Sequence, residues 1–476
     1  MNWLENLGNS LFSHPNYPFK NHVKNIADSF DDREHKESAY FHDIAKLSDD
    51  FQSYINGNFK RKTTHAFESA FVYFCQQGEF RSWEESAIFY SILKHHINLP
   101  NIFEDIIANH FDDFDELLFK KTGLFEKLES IQKNLQNEYR YKEEDLESFC
   151  DFFNVFKKQI EKIETINIYF LFKLRFSKLI FADKYEAIFH ASYKPEKSFE
   201  PQKYIDNLED LIVKKNEENK IDLNNNRNKA RIEILENYQS NCSKKIFIIE
   251  APTGIGKTLA ALRLALEIAK NENKQTIITA LPFTSIIEQT HSEYRQIFED
   301  NILLKYHHLT DNKQYISDTE QNQNLQKNDY IASTWAFDDV IVTTFNQLFY
   351  TIFSNKNRDL TKFWRLENSV IILDEIQSIP RVLLKDVAET LAFLSEAYNI
   401  HFILMSATIP AIKEFLGKES YAELLSEEYY KGNERYTIVP NFNMSFEGLK
   451  KEIRDKSKTQ SVLCVVNTKK LDSKIF

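Results

Sequence analysis

Phe247-Ile248-Ile249-Glu250-Ala251-Pro252-Thr253-Gly254-Ile255-Gly256-Lys257-Thr258 reads as a hydrophobic strand running into a phosphate-binding loop. Gly254 and Gly256 let the backbone turn its N–H groups toward a triphosphate, Lys257 reaches the β and γ phosphates, and the Thr258 hydroxyl ligates Mg²⁺. A helix opening at Thr258 directs its positive end at the same anion. Two further apolar runs end in polar loops downstream: Val370-Ile371-Ile372-Leu373 precedes Asp374-Glu375-Ile376-Gln377, and Phe402-Ile403-Leu404-Met405 precedes Ser406-Ala407-Thr408. Asp374 is placed to hold the Mg²⁺ shell and Glu375 to polarise the attacking water. The expected site for ATP with Mg²⁺ is therefore Ala251, Pro252, Thr253, Gly254, Ile255, Gly256, Lys257 and Thr258, with Asp374 and Gln377 opposite. Three strand ends in this order describe a nucleotide-driven motor.

At 476 residues the chain exceeds one core and predicts at least two domains. With 40 Phe and 22 Tyr against 9 Gly and 10 Pro, it favours helical, well-buried structure over disorder. A net charge of -11 argues against a globally basic nucleic-acid coat, yet leaves room for a locally basic channel. Cys75, Cys150, Cys242 and Cys464 show no metal-type pairing and read as buried thiols in a reducing compartment. The start of the chain lacks a basic, apolar leader pattern, and the most hydrophobic stretch, residues 166–181, is interrupted by Lys173, Arg175 and Lys178. The expectation is a soluble, cytoplasmic protein with no membrane partner.

The three loops resemble the helicase superfamily 2 core, in which Asp-Glu-x-His or Asp-Glu-x-Gln marks the second motif. Ala280-Leu281-Pro282-Phe283 with Gln289 resembles that core's first nucleic-acid-contacting motif, and Val342-Thr343-Thr344-Phe345-Asn346-Gln347-Leu348 the next. Such motifs grip phosphate and sugar through hydroxyls and amides without reading sequence. Taken alone, Thr343-Thr344 are ordinary strand residues.

Nine of the thirteen histidines lie before residue 200, outside the motor. A helix over residues 82–97 opens with a capping-box pattern, Ser82-x-x-Glu85, and its apolar stripe runs Ile88, Ile92 and then His95 and His96. Asp183 completes the stripe Phe176, Leu179, Ile180, and Asp43 stands in line with Tyr40, Ile44 and Leu47 on a helix that also carries His42. A carboxylate on a core face costs several kcal/mol unless it is paired or bound to metal. Either a buried salt bridge or a metal site inside a helical bundle explains the pattern.

The order His22, His42-Asp43, Asp183 resembles the HD metal-dependent phosphohydrolases. With His65, His95 and His96 added, it resembles the HD nuclease domain of the type I CRISPR-associated helicase-nuclease family. His42-Asp43-Ile44-Ala45-Lys46-Leu47 with Phe51-Gln52 is close to that family's HD-x-G-K segment, departing at Ala45 where Gly is usual. Trp335 before the 342–349 segment, and Gln377 in the Asp-Glu motif, are also similar to it. The resemblance implies that His22, His42, Asp43 and Asp183 ligate one metal and that Asp43, His65, His95 and His96 ligate a second, with Asp43 bridging. It implies Lys46 on a substrate phosphate oxygen, and it places catalysis on His42, Asp43, Lys46, Asp374 and Glu375. Mixed His and carboxylate ligands suit Mn²⁺, Fe²⁺, Co²⁺ or Ni²⁺ better than Mg²⁺ alone. His14, His35, His110 and His190 fit no family position and read as surface or capping residues.

The fold expected is an all-helical HD domain at 1–215, then a RecA-like parallel-sheet P-loop domain at 216–440, with 441–476 beginning a second lobe. Residues 193–228 turn polar and read as a solvated connector; 311–329 read as an exposed insertion. Ser461-Val462-Leu463-Cys464-Val465-Val466-Asn467-Thr468 reads as the first strand of the second lobe, most of which is then missing, as a fragment or because another polypeptide completes it. The activity implied is metal-dependent cutting of single-stranded DNA coupled to ATP-driven 3′ to 5′ translocation, by a monomer recruited to an RNA-guided multisubunit CRISPR surveillance complex. The rivals are an HD nucleotide phosphohydrolase with a regulatory ATPase domain, and an inactive docking module.

Overall fold

The computed structural model describes residues 2–57, 65–78, 80, 82–101, 105, 123–136, 145, 148–149, 165–195, 199–218, 223–307, 333–336, 339–408, 411–430 and 444–465. The chain divides into two units, Met1–Glu427 and Glu428–Phe476. The first begins with a helical part: α1 (Asn2–Asn6), a small hairpin of β1 (Phe12–His14) and β2 (Tyr17–Pro18), α2 (Phe19–Ala27), α3 (Arg33–Phe41), α4 (Asp49–Ile55), α5 (Ala66–Gln77), α6 (Trp83–Lys94), α7 (Leu124–Asn134) and the long α8 (Thr165–Phe189). Its core gathers Phe19, Val23, Leu47, Phe71, Phe89 and Leu128.

Two helices, α9 (Pro201–Glu218) and α10 (Leu223–Ser240), lead into the sheet. Seven parallel strands follow: β3 (Ile246–Glu250), β4 (Thr276–Leu281), β5 (Leu303–Tyr306), β6 (Val340–Thr344), β7 (Ser369–Leu373), β8 (His401–Ser406) and β9 (Tyr421–Glu423). Their order is β5-β6-β4-β7-β8-β3-β9. Helices α11 (Lys257–Asn271), α12 (Thr284–Tyr294), α13 (Phe345–Phe353), α14 (Asn357–Leu360) and α15 (Leu384–Ala397) connect them. The central strands β4, β6, β7 and β8 are buried along their whole length, which is why they read as unbroken apolar runs rather than alternating ones. The register sets β3 against β8, Glu250 opposite Ser406, and β7 against β8, Leu373 opposite Leu404. The three loops singled out in the sequence thus emerge side by side at the carboxyl edge, where parallel sheets bind ligands. An α-helical domain followed by a parallel-sheet domain of RecA-like type is the architecture.

The two parts share a core, since Ile26, Phe170 and Phe181 of the helical part cluster with Ile341, Phe363 and Leu391 of the sheet part. Helix α8 forms the seam. Phe170 stacks on Phe363 and Phe393, and Lys173 Nζ donates to the carbonyls of Ile352 and Ser354. Ser177 Oγ donates to Leu360 O and accepts from Trp364 N. Among the described residues, no helix is long and apolar enough to cross a membrane.

Several local expectations need correction. Asp43 does not lie on one helix with Tyr40 and Leu47: α3 ends at Phe41, Asp43 takes φ -117 and ψ 11, and a separate 3-10 turn covers Ile44–Leu47. The capping box at Ser82 and Glu85 is present, but α6 stops at Lys94, so His95 is its C-cap and His96 lies beyond. The P-loop helix opens at Lys257, one residue early. The polar connector is largely α9 and α10, and α9 buries Tyr204, Ile205, Leu208, Leu211 and Ile212 on one stripe against α11, so its Lys and Asn runs cover only the outer face; residue 215 lies inside that helix. The cysteines described are not buried: Cys75 and Cys464 are half-buried and Cys242 is exposed, while Cys150 lies outside the described residues. So do His110 and the 311–329 segment. His35 is not a surface residue; it is buried with Nε2 on Ile26 O at 3.0 Å. His190 is exposed at the end of α8.

The second unit contains α16 (Phe446–Lys456), N-capped by Ser445. Residues 461–465 form no strand, and Leu463 and Val465 are exposed; among the described residues of that unit there is no neighbouring strand to satisfy their backbone groups. Residues 466–468 lie outside the described residues.

Candidate metal centre and nucleotide site

The break at Asp43 is what builds the first site. It ends α3 and aims a fully buried carboxylate into the space between α2, α5, α6 and α8, where histidines from four segments converge. The two oxygens of Asp43 face different sets. Oδ2 lies 3.1 Å from His22 Nε2, 3.3 Å from His42 Nε2 and 2.5 Å from Lys46 Nζ. Oδ1 lies 3.0 Å from His65 Nε2 and 3.5 Å from His95 Nε2. Asp183 Oδ1, from α8, stands 3.7 Å from both His22 Nε2 and His42 Nε2. His96 Nε2 closes the second set at 2.6 Å from His65 Nε2. Within each set, His22–His42–Asp43–Asp183 and Asp43–His65–His95–His96, the potential ligand atoms lie within 4.8 Å of one another.

The donor chemistry fits divalent cations. His42 Nδ1 sits 2.8 Å from Ala39 O and His95 Nδ1 sits 2.7 Å from Ile92 O, which fixes each Nδ1 as the donor and points Nε2 inward. His42 Nε2, His95 Nε2 and Asp43 Oδ1 are buried and make only the ion-pair approaches of 3.0–3.7 Å given above, none of them a well-formed hydrogen bond. Buried polar atoms of this kind normally have one, and here they converge on common points. His65 and His96 bring two ring nitrogens within hydrogen-bond distance of each other, an arrangement that requires a shared proton or a shared cation.

The electrostatics separate the two sets. Burial opposes ionisation of Asp43, but Lys46, His42 and His65 hold its carboxyl well below the usual range. At Asp183, burial is outweighed by the neighbouring His42, again lowering the carboxyl. Burial works against a charged His22, and Asp43 and Glu186 override it and raise the imidazole; the same contest raises His42 to about 10, through Asp43 and Asp183. In the second set burial dominates, lowering His65 and taking His96 to about 3 with help from His95 and His65.

Two nearby residues escaped the sequence reading. Glu186, one turn beyond Asp183 on α8, accepts from Tyr17 Oη at 2.6 Å and meets His22 Nδ1 at 2.5 Å; its i+3 spacing from Asp183 was the available signal. His14, read as a surface residue, packs edge-on to His22 with ring centroids 5.1 Å apart, and burial with Lys46 and His22 lowers it to about 4.

The candidate nucleotide site lies at the carboxyl edge of the sheet, in a cavity of about 390 Å³. Gly254 and Gly256 have φ of 86° and 87°, the left-handed region that only glycine enters freely, so the loop can curl its amides inward. Lys257 Nζ folds back onto Ala251 O at 2.8 Å, and Thr253, Thr258, Asp374 and Glu375 line the same cavity. Burial and the adjacent Glu375 raise Asp374 to about 6, while burial lowers Lys257. Glu375 is itself left-handed, φ 57°. Gln377 Nε2 donates to Glu375 and Gln377 Oε1 accepts from Ser406 Oγ at 2.8 Å, so a side-chain chain links the second and third loops. Ala251 and Pro252 complete the loop's base, with Ala251 N on Ser406 O at 3.1 Å. Unforeseen in the sequence, Arg227 of α10 donates from Nε to Gly254 O at 2.9 Å, and Lys215 of α9 also lines the cavity. Thr343 and Thr344 have structural uses: Thr343 Oγ1 donates to Tyr306 O, and Thr344 Oγ1 N-caps α13 by accepting from Gln347 N. Phe283 is exposed beside them.

A DEAD/DEAH box helicase family profile matches residues 232–415. The chain is similar to the CRISPR-associated nuclease/helicase Cas3 of Haloferax volcanii, 29% identical over 48% of this chain and 27% of that protein. It is also similar to the putative CRISPR-associated nuclease/helicase Cas3 of Methanocaldococcus jannaschii, 25% identical over 81% of this chain and 55% of that protein. It therefore spans about a quarter to a half of the length of these curated relatives. Among solved structures, T. fusca Cas3 matches with a TM-score of 0.48 and 16% identity, over 84% of this chain and 48% of that one.

Proposed function

We propose that the chain is a CRISPR interference effector: a divalent-metal-dependent single-stranded DNA nuclease joined to an ATP-dependent 3′ to 5′ translocase, recruited as a monomer in the cytoplasm by an RNA-guided surveillance complex. The division proposed is 1–215 for the nuclease domain, 216–440 for the first motor lobe and 441–476 for the start of a second. The observation that carries the nuclease is the opposed use of the two Asp43 oxygens, each facing its own histidine set. The resemblance in sequence to CRISPR-associated nuclease/helicases supports the choice of a nucleic acid as substrate.

In this reading His22, His42, Asp43 and Asp183 hold one cation and Asp43, His65, His95 and His96 hold the other. Mn²⁺, Fe²⁺, Co²⁺ or Ni²⁺ bound there would activate a water and steady the leaving oxygen of an in-line displacement at phosphorus. The chain's own contribution is to fix the ligands: Ala39 O and Ile92 O orient His42 and His95, and Asp43 is held ionised by Lys46 and its histidines. Lys46, whose ammonium stands 5.7 Å from the centroid of the Phe51 ring, offers that ammonium to a substrate phosphate oxygen. In the motor, the 251–256 loop cradles the phosphates of ATP, Lys257 pairs with them, Thr258 and Asp374 hold Mg²⁺, and Glu375 orients the attacking water with Gln377 bracing it.

His42→Ala and Asp43→Ala are each expected to abolish metal-dependent degradation of circular single-stranded DNA while far-UV circular dichroism stays unchanged, and excess chelator is expected to mimic both in the wild type. Hydrolysis of nucleoside triphosphates or cyclic dinucleotides by the metal-loaded site, with single-stranded DNA left intact, would instead favour the nucleotide phosphohydrolase. Cutting that persists in chelator would rule out the two-metal mechanism.

A further inference from the structure

The two ligand sets differ in what stands behind their histidines. His42 and His95 are backed by peptide carbonyls, Ala39 O and Ile92 O. His22 Nδ1 instead faces a carboxylate, Glu186 Oε2, at 2.5 Å. Glu186 is completely buried. Its other oxygen accepts from Tyr17 Oη at 2.6 Å and Asn25 Nδ2 at 3.2 Å, and Asn25 Nδ2 also reaches Tyr17 Oη at 3.0 Å. Among the described residues, no lysine or arginine pairs with Glu186. A buried carboxylate without a basic partner is costly, and the positive charge that offsets it here must come through His22. An imidazole hydrogen-bonded to a carboxylate is a more basic ligand than one hydrogen-bonded to an amide.

The sets also carry different charge. His22, His42, Asp43 and Asp183 include two carboxylates with Glu186 as a third behind them; Asp43, His65, His95 and His96 include only the shared one, and His65 Nδ1 is buried with no partner to strengthen it. We infer that Glu186 is a positioning residue that makes the His22 set the tighter of the two, so that the centre fills in order, the His22 side first and the His96 side second. The inference rests on the two-metal reading above.

Calorimetric titration of Mn²⁺ into the metal-free full chain tests it. The wild type is expected to show two classes of site at least about tenfold apart in affinity. Glu186→Gln, which keeps size and hydrogen bonding but removes the charge, is expected to weaken the tight class about 10–100-fold and leave the weak class in place. Should Glu186→Gln not fold, variants at the exposed His96 and the half-buried Asp183 decide the order: His96→Ala is expected to keep the tight class and Asp183→Asn to lose it. Two equal classes in the wild type, a Glu186→Gln titration that matches it, or the reverse pattern in the His96 and Asp183 variants would overturn the ordering and leave the paired site standing. Failure of the wild-type chain to take up any stoichiometric Mn²⁺ would overturn the two-metal reading itself.

Discussion

His95 shows how a residue's meaning depends on where its helix stops. Because α6 ends at Lys94, the ring is turned so that Nδ1 meets Ile92 O and Nε2 points at Asp43. A histidine whose Nδ1 already donates must give up any Nε2 proton to take a cation, so metal uptake releases protons and weakens as pH falls. Titrations in buffers of different ionisation enthalpy are expected to report that release. Replacement of His95 or His96 by Ala is expected to remove about one of two bound metal equivalents, read by elemental analysis; unchanged stoichiometry in both variants would make them plain core residues. At this scale the sequence was a good guide to the residues that end strands or face a core. The gathering of Asp374, Lys257 and the two loop glycines around one cavity follows from strand-loop-helix spacing alone. Glu186 was the harder residue: its i+3 spacing from Asp183 hinted at a shared face, and the packing of α2 against α8 shows that this face is buried.

At the scale of elements, α8 joins the two halves. Lys173, read in the sequence only as an interruption of an apolar stretch, is the buried staple: its ammonium donates to Ile352 O and Ser354 O at the end of α13. Burial lowers it to about 7. The unfolded chain, with an ordinary lysine near 10.4, therefore holds more protons than the folded one between roughly pH 7 and pH 10, and stability rises with pH across that window. Wild type is expected to gain urea resistance relative to Lys173→Met between pH 7 and pH 9.5; a gap between the two that does not change with pH would mean the lysine is not buried. Lys173→Ala removes the donor and leaves two carbonyls unmet, and a loss of about 2–4 kcal/mol is expected in denaturant midpoints. The α9 and α10 helices were illegible for the opposite reason. Their Lys, Glu and Asn runs dominate the composition, and the stripe Tyr204, Leu208, Leu211 becomes visible only when α11 is there to receive it.

Across the whole molecule, the candidate metal centre is assembled from residues before 190 and the candidate nucleotide site from residues after 210. The two chemistries are therefore expected to separate: Lys257→Ala should abolish binding of a fluorescent ATP analogue and leave cutting of already single-stranded DNA within about twofold of wild type. The fold class was legible because parallel strands buried on both faces leave unbroken apolar runs, and helices leave stripes. Asp43's position was not, since its break from α3 depends on a carboxylate being drawn toward histidines more than twenty residues away. Anomalous X-ray diffraction from crystals equilibrated with Mn²⁺ tests that convergence most directly. Two anomalous peaks about 3.5–4 Å apart are expected, one beside His22 and Asp183 and one beside His65 and His96, with Asp43 between them. A single peak, or none within reach of Asp43, would contradict it.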